Sequence, residues 1–218
     1  MAELDLLRAL PRTRRNVARR AEAKGPDVIA AAREYGELFF DGPRDYGYGG
    51  YRYDGRWVPV ARDIVEHFAL KAGDRVLDVG CAKGFLVKDL MQVCPGLEAF
   101  GLDISEYALR QCEPEAIGRL HLGTGSRLPF PDASFACVLS LNTIHNFDRD
   151  EARTALAEIQ RVSNGRAFVQ VDSYRTPEQK EIFESWVLTA RFHDYPEGWV
   201  RLFAEAGYTG DYFWTIIE

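Results

Sequence analysis

Apolar positions in this chain switch repeatedly between the i, i+3, i+4 spacing of a helix and short unbroken runs that suit a buried strand. Residues 60–70 read as an amphipathic helix, and residues 75–79, RVLDV, as a parallel strand bounded by Gly73-Asp74 and Gly80. The same pattern predicts strands at 99–103, 120–122, 137–141 and 167–171, and helices at 85–93, 149–159, 179–190 and 199–206. Such alternation predicts an α/β fold, a mostly parallel sheet with helices on both faces. Residues 211–217 are aromatic and β-branched and predict one more strand, with no further strand after it, so six and seven strands both stay open.

The first 57 residues follow a different pattern and divide the chain into an N-terminal helical and aromatic segment, 1–57, and an α/β domain, 58–218. Residues 6–23 read as a basic helix carrying Arg8, Arg12, Arg14, Arg15, Arg19 and Arg20, and residues 27–40 as a second helix with sharper apolar periodicity. Then comes DGPRDYGYGGYRYDGRW, 41–57, in which Tyr46, Tyr48, Tyr51, Tyr53 and Trp57 alternate with glycines and arginines. Such a composition suits a loop that folds over something. Aromatic faces attract cations by about 0.5–2 kcal/mol each, so a lid over a cationic ligand is expected. The competing reading has these tyrosines packing the N-terminal helices onto the sheet.

Composition narrows the function. A chain of 218 residues, 46% hydrophobic, buries one sizeable core and is short for two independent domains. Its net charge of −6 argues against a protein that wraps nucleic acid, although the Arg-rich helix leaves RNA phosphates as a minor alternative. There is no apolar stretch of membrane-spanning length and no leader with a cleavage site, so a cytoplasmic location and no membrane partner are expected. Cys81, Cys94, Cys112 and Cys137 form no C-x-x-C pair, and His67, His121, His145 and His193 lack metal-ligand spacing, so no structural metal is expected.

The most informative stretch is VLDVGCAKG, 76–84, followed by GLDIS, 101–105. An apolar run ending in Asp78 turns on Gly80 and Gly84 into a helix, whose first unpaired N–H groups face the strand edge. Asp103, some 25 positions beyond Asp78, ends the next strand, where a carboxylate accepts hydrogen bonds from both ribose hydroxyls. A dinucleotide would need G-x-G-x-x-G with its pyrophosphate at the helix start. Here the order is D-x-G-x-x-x-G, and Asp78 sets negative charge where that pyrophosphate would lie; it suits an ammonium group instead.

On these motifs the chain resembles class I S-adenosylmethionine-dependent methyltransferases over residues 58–171. The resemblance implies their Rossmann-like sandwich with S-adenosylmethionine as cofactor. It places Asp78 and Gly80 at the methionine end, Asp103 and Ile104 at the ribose and adenine, and Gly125 and Ser126 at the adenine edge, with Cys81 and Gly84 also among the cofactor-binding residues. Tyr48 and Tyr51 would cover the cofactor, and Asn142 would lie near the sulfonium. The chain departs from the family pattern at Ala82, in place of the middle glycine, at Thr124, in place of the acid before the adenine contact, and at Phe135-Ala136.

Three functions stay open. The first is methyl transfer to a small acceptor, a sugar, amino acid or natural-product intermediate, because no inserted specificity domain is visible. Its catalytic candidates are Asn142, His145 as a base and Tyr174 lining the pocket. The second follows from a resemblance to azetidine-2-carboxylate synthases and closes the cofactor's own amine onto its aminopropyl chain, releasing methylthioadenosine, with Asn142 and Tyr174 paired near the amine. The third is a cofactor-binding protein without turnover.

Overall fold

In a computed structural model of the chain, which describes residues 1–11 and 15–217, the strands are β1 (Arg75–Val79), β2 (Glu98–Asp103), β3 (Leu120–Leu122), β4 (Cys137–Leu141), β5 (Ala167–Ser173) and β6 (Asp211–Ile216). They form one sheet in the order β3-β2-β1-β4-β5-β6, and every pairing is parallel. The helices, in chain order, are α1 (Val17–Ala23), α2 (Pro26–Arg33), α3 (Glu37–Phe40), α4 (Val58–His67), α5 (Phe85–Val93), α6 (Glu106–Arg110), α7 (Arg149–Ser163), α8 (Pro177–Trp186) and α9 (Pro196–Glu205).

Strand alternation sorts the core into two layers. Leu77, Val79, Val138, Val169 and Val171 pack with Leu156 of α7 and Trp199 of α9, whereas Val76, Cys137, Leu139 and Phe168 pack with Ile64 of α4 and Leu90 of α5. The sheet is thus covered on both faces, as all-parallel sheets require. Strand order reverses between β1 and β4, and ligands of such sheets bind at that switch point, beyond the carboxyl ends of the strands.

Among the described residues the sheet has six strands, and β6 runs parallel to β5 because α8 and α9 carry the chain back across before it starts. The outer edge of β6 is covered by the first residues of the chain. Tyr212 N donates to Ala2 O at 3.0 Å, and Leu4 N donates to Tyr212 O at 2.9 Å. Leu6 and Leu7 follow into the layer beneath α4. No helix among the described residues is long and apolar enough to cross a membrane.

Both expected N-terminal helices are shorter than their periodicity implies. Among the described residues of 6–23 only Val17–Ala23 is helical, capped by Asn16, whose side chain accepts from Arg19 N. Pro11 lacks the N–H an earlier start would need, and Arg12 and Arg14 lie outside the described residues. The expected helix 27–40 is two, split where Tyr35 turns at φ +50° and Gly36 caps α3. Elsewhere caps move boundaries: Thr176 accepts from Gln179 N with Pro177 leading, so α8 begins earlier than expected and ends at Trp186 instead of running to 190.

Candidate functional site

At the carboxyl ends of the strands lies a cavity of about 480 Å³. Gly80 and Ala82 after β1, Asp103 and Ile104 at the end of β2, and Gly125 after β3 form one side. Asn142, Thr143 and His145 after β4 and Asp172 near the end of β5 form another. Val187 to Thr189, the extended segment that replaces the expected end of α8, close the outer wall.

The turn after β1 is bonded to β2 from both ends. Gly80 N donates to Leu102 O at 2.7 Å, and Ala82 N donates to Asp103 Oδ2 at 2.7 Å. Asp103 Oδ1 accepts Ser105 N at 2.8 Å, so the carboxylate is held at both oxygens and still borders the cavity. Burial pushes its pKa up against these bonds. Gly80 has φ +87°, and a Cβ there would overlap the Thr143 hydroxyl, so the β1 turn and the β4 loop approach closely only because it is glycine. Ala82 keeps the left-handed conformation of a glycine, at φ +49°.

Asp78 is buried, and no hydrogen bond among the described residues offsets its desolvation. Burial first, and the Asp103 charge second, push its pKa up to about 7. A buried carboxylate left without a donor calls for a cation.

The aromatic segment is tied over this edge. Asp41 accepts Lys83 Nζ at 2.6 Å, the Tyr107 hydroxyl at 2.8 Å and Tyr51 N at 3.0 Å. Tyr51 stacks on Phe85 with ring centroids 4.7 Å apart, and Tyr48 lies 4.5 Å from Tyr51. Tyr48 lines the cavity; Tyr48, Tyr51 and Asn142 line an adjoining one. The glycines of the segment do not all mark mobility: Gly47 is buried, and a Cβ there would overlap Phe39 O, so its role is close packing.

Several expected residues stand off the cavity. Cys81 turns its side chain toward Gly101 and the core, because Gly101 leaves room for it, and its backbone N–H is spent on Leu102 O. Gly84 caps α5 at φ +74° against Ala116. Ser126 holds Thr124 at 3.0 Å between hydroxyl oxygens, and it is Thr124 that borders the cavity beside Gly125. Tyr174 is packed with Phe183 and Tyr195 behind the site, its hydroxyl 3.0 Å from His193 Nδ1, so the Asn142–Tyr174 pair is not assembled. The cause is α8, whose Phe183 covers the tyrosine.

His145 does border the cavity, but Nδ1 accepts Asp172 N at 3.2 Å, which leaves the proton of the neutral ring on Nε2, 3.8 Å from Asp172 Oδ2. Burial pushes its pKa below 6.5 while Asp172 opposes the shift. Asn142 sits at φ +57°, its N–H shared by Gln170 O at 3.1 Å and Gln170 Oε1 at 2.9 Å. Gln170 was not anticipated, although a lone amide inside the apolar run AFVQVDS signals a buried polar contact. Trp186, Arg20 and Arg44 also border the cavity unannounced, since their meeting depends on α1 packing against α8.

Comparison with known proteins settles the family. The methyltransferase domain family matches residues 77–202, more than half of the chain. The chain belongs to this family. S-adenosylmethionine is therefore its cofactor, and the cavity at the strand ends, bordered by the anchored Asp103, fits it, with the partnerless Asp78 buried behind the wall and lining neither cavity. Nocamycin O-methyltransferase of Saccharothrix syringae is 36% identical over 87 residues, covering 37% of this chain and 31% of that protein. The chain thus matches under a third of that relative's length. Among solved structures, the complex between the Haloferax volcanii Trm112 methyltransferase activator and a candidate methyltransferase matches at TM-score 0.56 and 21% identity, covering 67% of this chain and 66% of that one. YcgJ of Bacillus subtilis matches at TM-score 0.53 and 20% identity, covering 67% and 66%. These two likenesses concern the fold.

Proposed function

We propose that the protein transfers the methyl group of S-adenosylmethionine to a small-molecule acceptor. The observation that carries this reading is a second space beside the strand-edge one: the main cavity runs on to Trp186, Val187 and Arg191, and a cavity of about 590 Å³ that shares Tyr48, Asn142 and Trp186 with it adjoins it. Pockets of this size take small molecules.

The cofactor supplies a methyl carbon already activated by a positively charged sulfur, so the protein's work is chiefly alignment. In this reading Asp103 accepts the ribose hydroxyls, Asp78 attracts the ammonium from behind the wall, and the backbone at Gly80 lets the ligand approach the sheet. Tyr51, held by Asp41, and Tyr48 against it cover the charged end with aromatic faces. Asn142, locked by Gln170, orients the acceptor. For a hydroxyl acceptor, the proton goes to the Asp172 carboxylate, whose backbone N–H is anchored on His145 Nδ1; the neutral His145 ring has no lone pair left to take it.

Product analysis tests the reading. Purified protein incubated with S-adenosylmethionine and candidate acceptors is expected to release adenosylhomocysteine only when an acceptor is present, and Asp172→Asn to lower kcat for hydroxyl acceptors. Methylthioadenosine formed from the cofactor alone would show cyclisation instead, and binding without any product would leave a cofactor-binding protein.

A further inference from the structure

The outer wall of the cavity concentrates positive charge in an unusual way. The guanidinium carbons of Arg15, Arg20 and Arg44 lie 5.7, 4.6 and 5.5 Å from the ring centre of Trp186. All four residues border the main cavity and also the adjoining one, of about 590 Å³, so the cluster stands where the two meet. None of the three arginines has a carboxylate within 4.0 Å among the described residues; the nearby Asp45 is engaged by Arg19 at 3.5 Å, and Asp54 by Arg56. Arg20 is buried and spends its N–H groups on the carbonyls of Arg44 and Gly47, at 2.8 and 3.1 Å.

Three guanidiniums gathered on one indole without a counterion repel one another, and burial weakens the solvent's screening of that repulsion. Burial pushes the pKa of both Arg20 and Arg44 down; Arg44 adds to the shift on Arg20 while Asp45 opposes it, and on Arg44 Tyr48 opposes the shift while Arg15 adds to it. Guanidinium stays charged regardless, and its fork of N–H donors matches a carboxylate or phosphate. The acids that border the main cavity, Glu34, Asp103, Glu151 and Asp172, make no ion pair with the cluster among the described residues.

We propose that Arg15, Arg20 and Arg44 around Trp186 form an oxyanion subsite, which selects acceptors carrying a carboxylate or phosphate. This rests on reading the cavity as an acceptor site. Arg20 shapes the subsite by fixing the 44–47 backbone, while Arg44 gives Nη1 to Gly47 O at 2.5 Å and keeps its remaining donors for the ligand, with Arg15 beside it. The cofactor's own carboxylate is the rival source of the same chemistry, and it is distinguished by measuring cofactor affinity separately.

The test uses the full chain saturated with adenosylhomocysteine and titrated in a calorimeter with benzoate, phenyl phosphate and neutral benzamide. At least one of the two anions is expected to bind about tenfold more tightly than benzamide, and Arg44→Gln and Arg15→Gln each to abolish about that advantage. Arg62→Gln, an exposed arginine of α4 outside both cavities, controls for net charge and should change nothing. Adenosylhomocysteine affinity should stay within about twofold in all three variants. Equal binding of the anions and benzamide, an equal loss in Arg62→Gln, or a tenfold fall in adenosylhomocysteine affinity in the cluster variants would each overturn the subsite. Failure of methyl transfer itself would appear separately, as absent adenosylhomocysteine product, and would leave this binding measurement readable.

Discussion

The Asp103 carboxylate accepts the backbone N–H of Ala82 at 2.7 Å, which bonds the end of β2 to the turn that follows β1. One oxygen thereby holds in place a non-glycine residue at φ +49°, a conformation that costs an L-residue about 1–2 kcal/mol. Asp103 is therefore part of the scaffold as well as the proposed ligand for ribose. Asp103→Ala should weaken adenosylhomocysteine binding tenfold or more and also lower stability by about 1–3 kcal/mol, because the N–H groups of Ala82 and Ser105 lose their acceptor. Asp103→Asn keeps one acceptor oxygen and should lose less stability than affinity. Calorimetry and thermal melts separate the two effects, and unchanged affinity in both variants would contradict the ribose assignment.

Gly80→Ala should be severe. The added methyl group meets Thr143 and the backbone stays at φ +87°, so a loss of about 2–4 kcal/mol is expected from strain and overpacking together. Denaturant melts would read it, and a change under 1 kcal/mol would mean that the β1 turn and the β4 loop are not in the contact described.

Asp78 gives stability a pH dependence of definite sign. With a native pKa of about 7 against an ordinary 3.8, the native protein keeps a proton that the unfolded chain has released between those values. The free protein's stability from this group is full below about pH 4 and is lost as pH rises through about 7. A bound ammonium removes that penalty, so the rise in Tm on adding adenosylhomocysteine should be greater at pH 8 than at pH 6. Asp78→Asn should flatten the difference. An unaltered pH profile in that variant would assign the dependence to other groups.

Asp41 joins Lys83, Tyr107 and Tyr51 N–H. Asp41→Ala should release the aromatic segment and raise the dissociation rate of adenosylhomocysteine several-fold, as should Tyr48→Ala combined with Tyr51→Ala. Stopped-flow fluorescence would follow the release. Equal rates in both variants would leave these tyrosines with packing alone.

The strand edges were legible from residues 75–79 and 101–105 because their chemistry is local: an apolar run ending in an acid and a glycine turn specify strand, turn and ligand edge within a few positions. Helix ends were less so, since Thr176 with Pro177, and Tyr35 with Gly36, override an apolar periodicity that continues across them. Tyr174 was misplaced because a residue just beyond a strand can face either side of the sheet's edge, and Phe183 of α8 claimed it.

Order along the chain thus determined the alternating α/β class, the parallel sheet and the acids carried by the first two strands, each of which follows from short-range pattern and the spacing between neighbouring strands. Tertiary structure alone decided what stands opposite them. Arg20 meets Trp186 across a stretch of chain that holds five of the six strands, and His145 meets Asp172 through the pairing of β4 with β5. Contacts of that kind depend on which helix packs on which and in what register, and no local period encodes them.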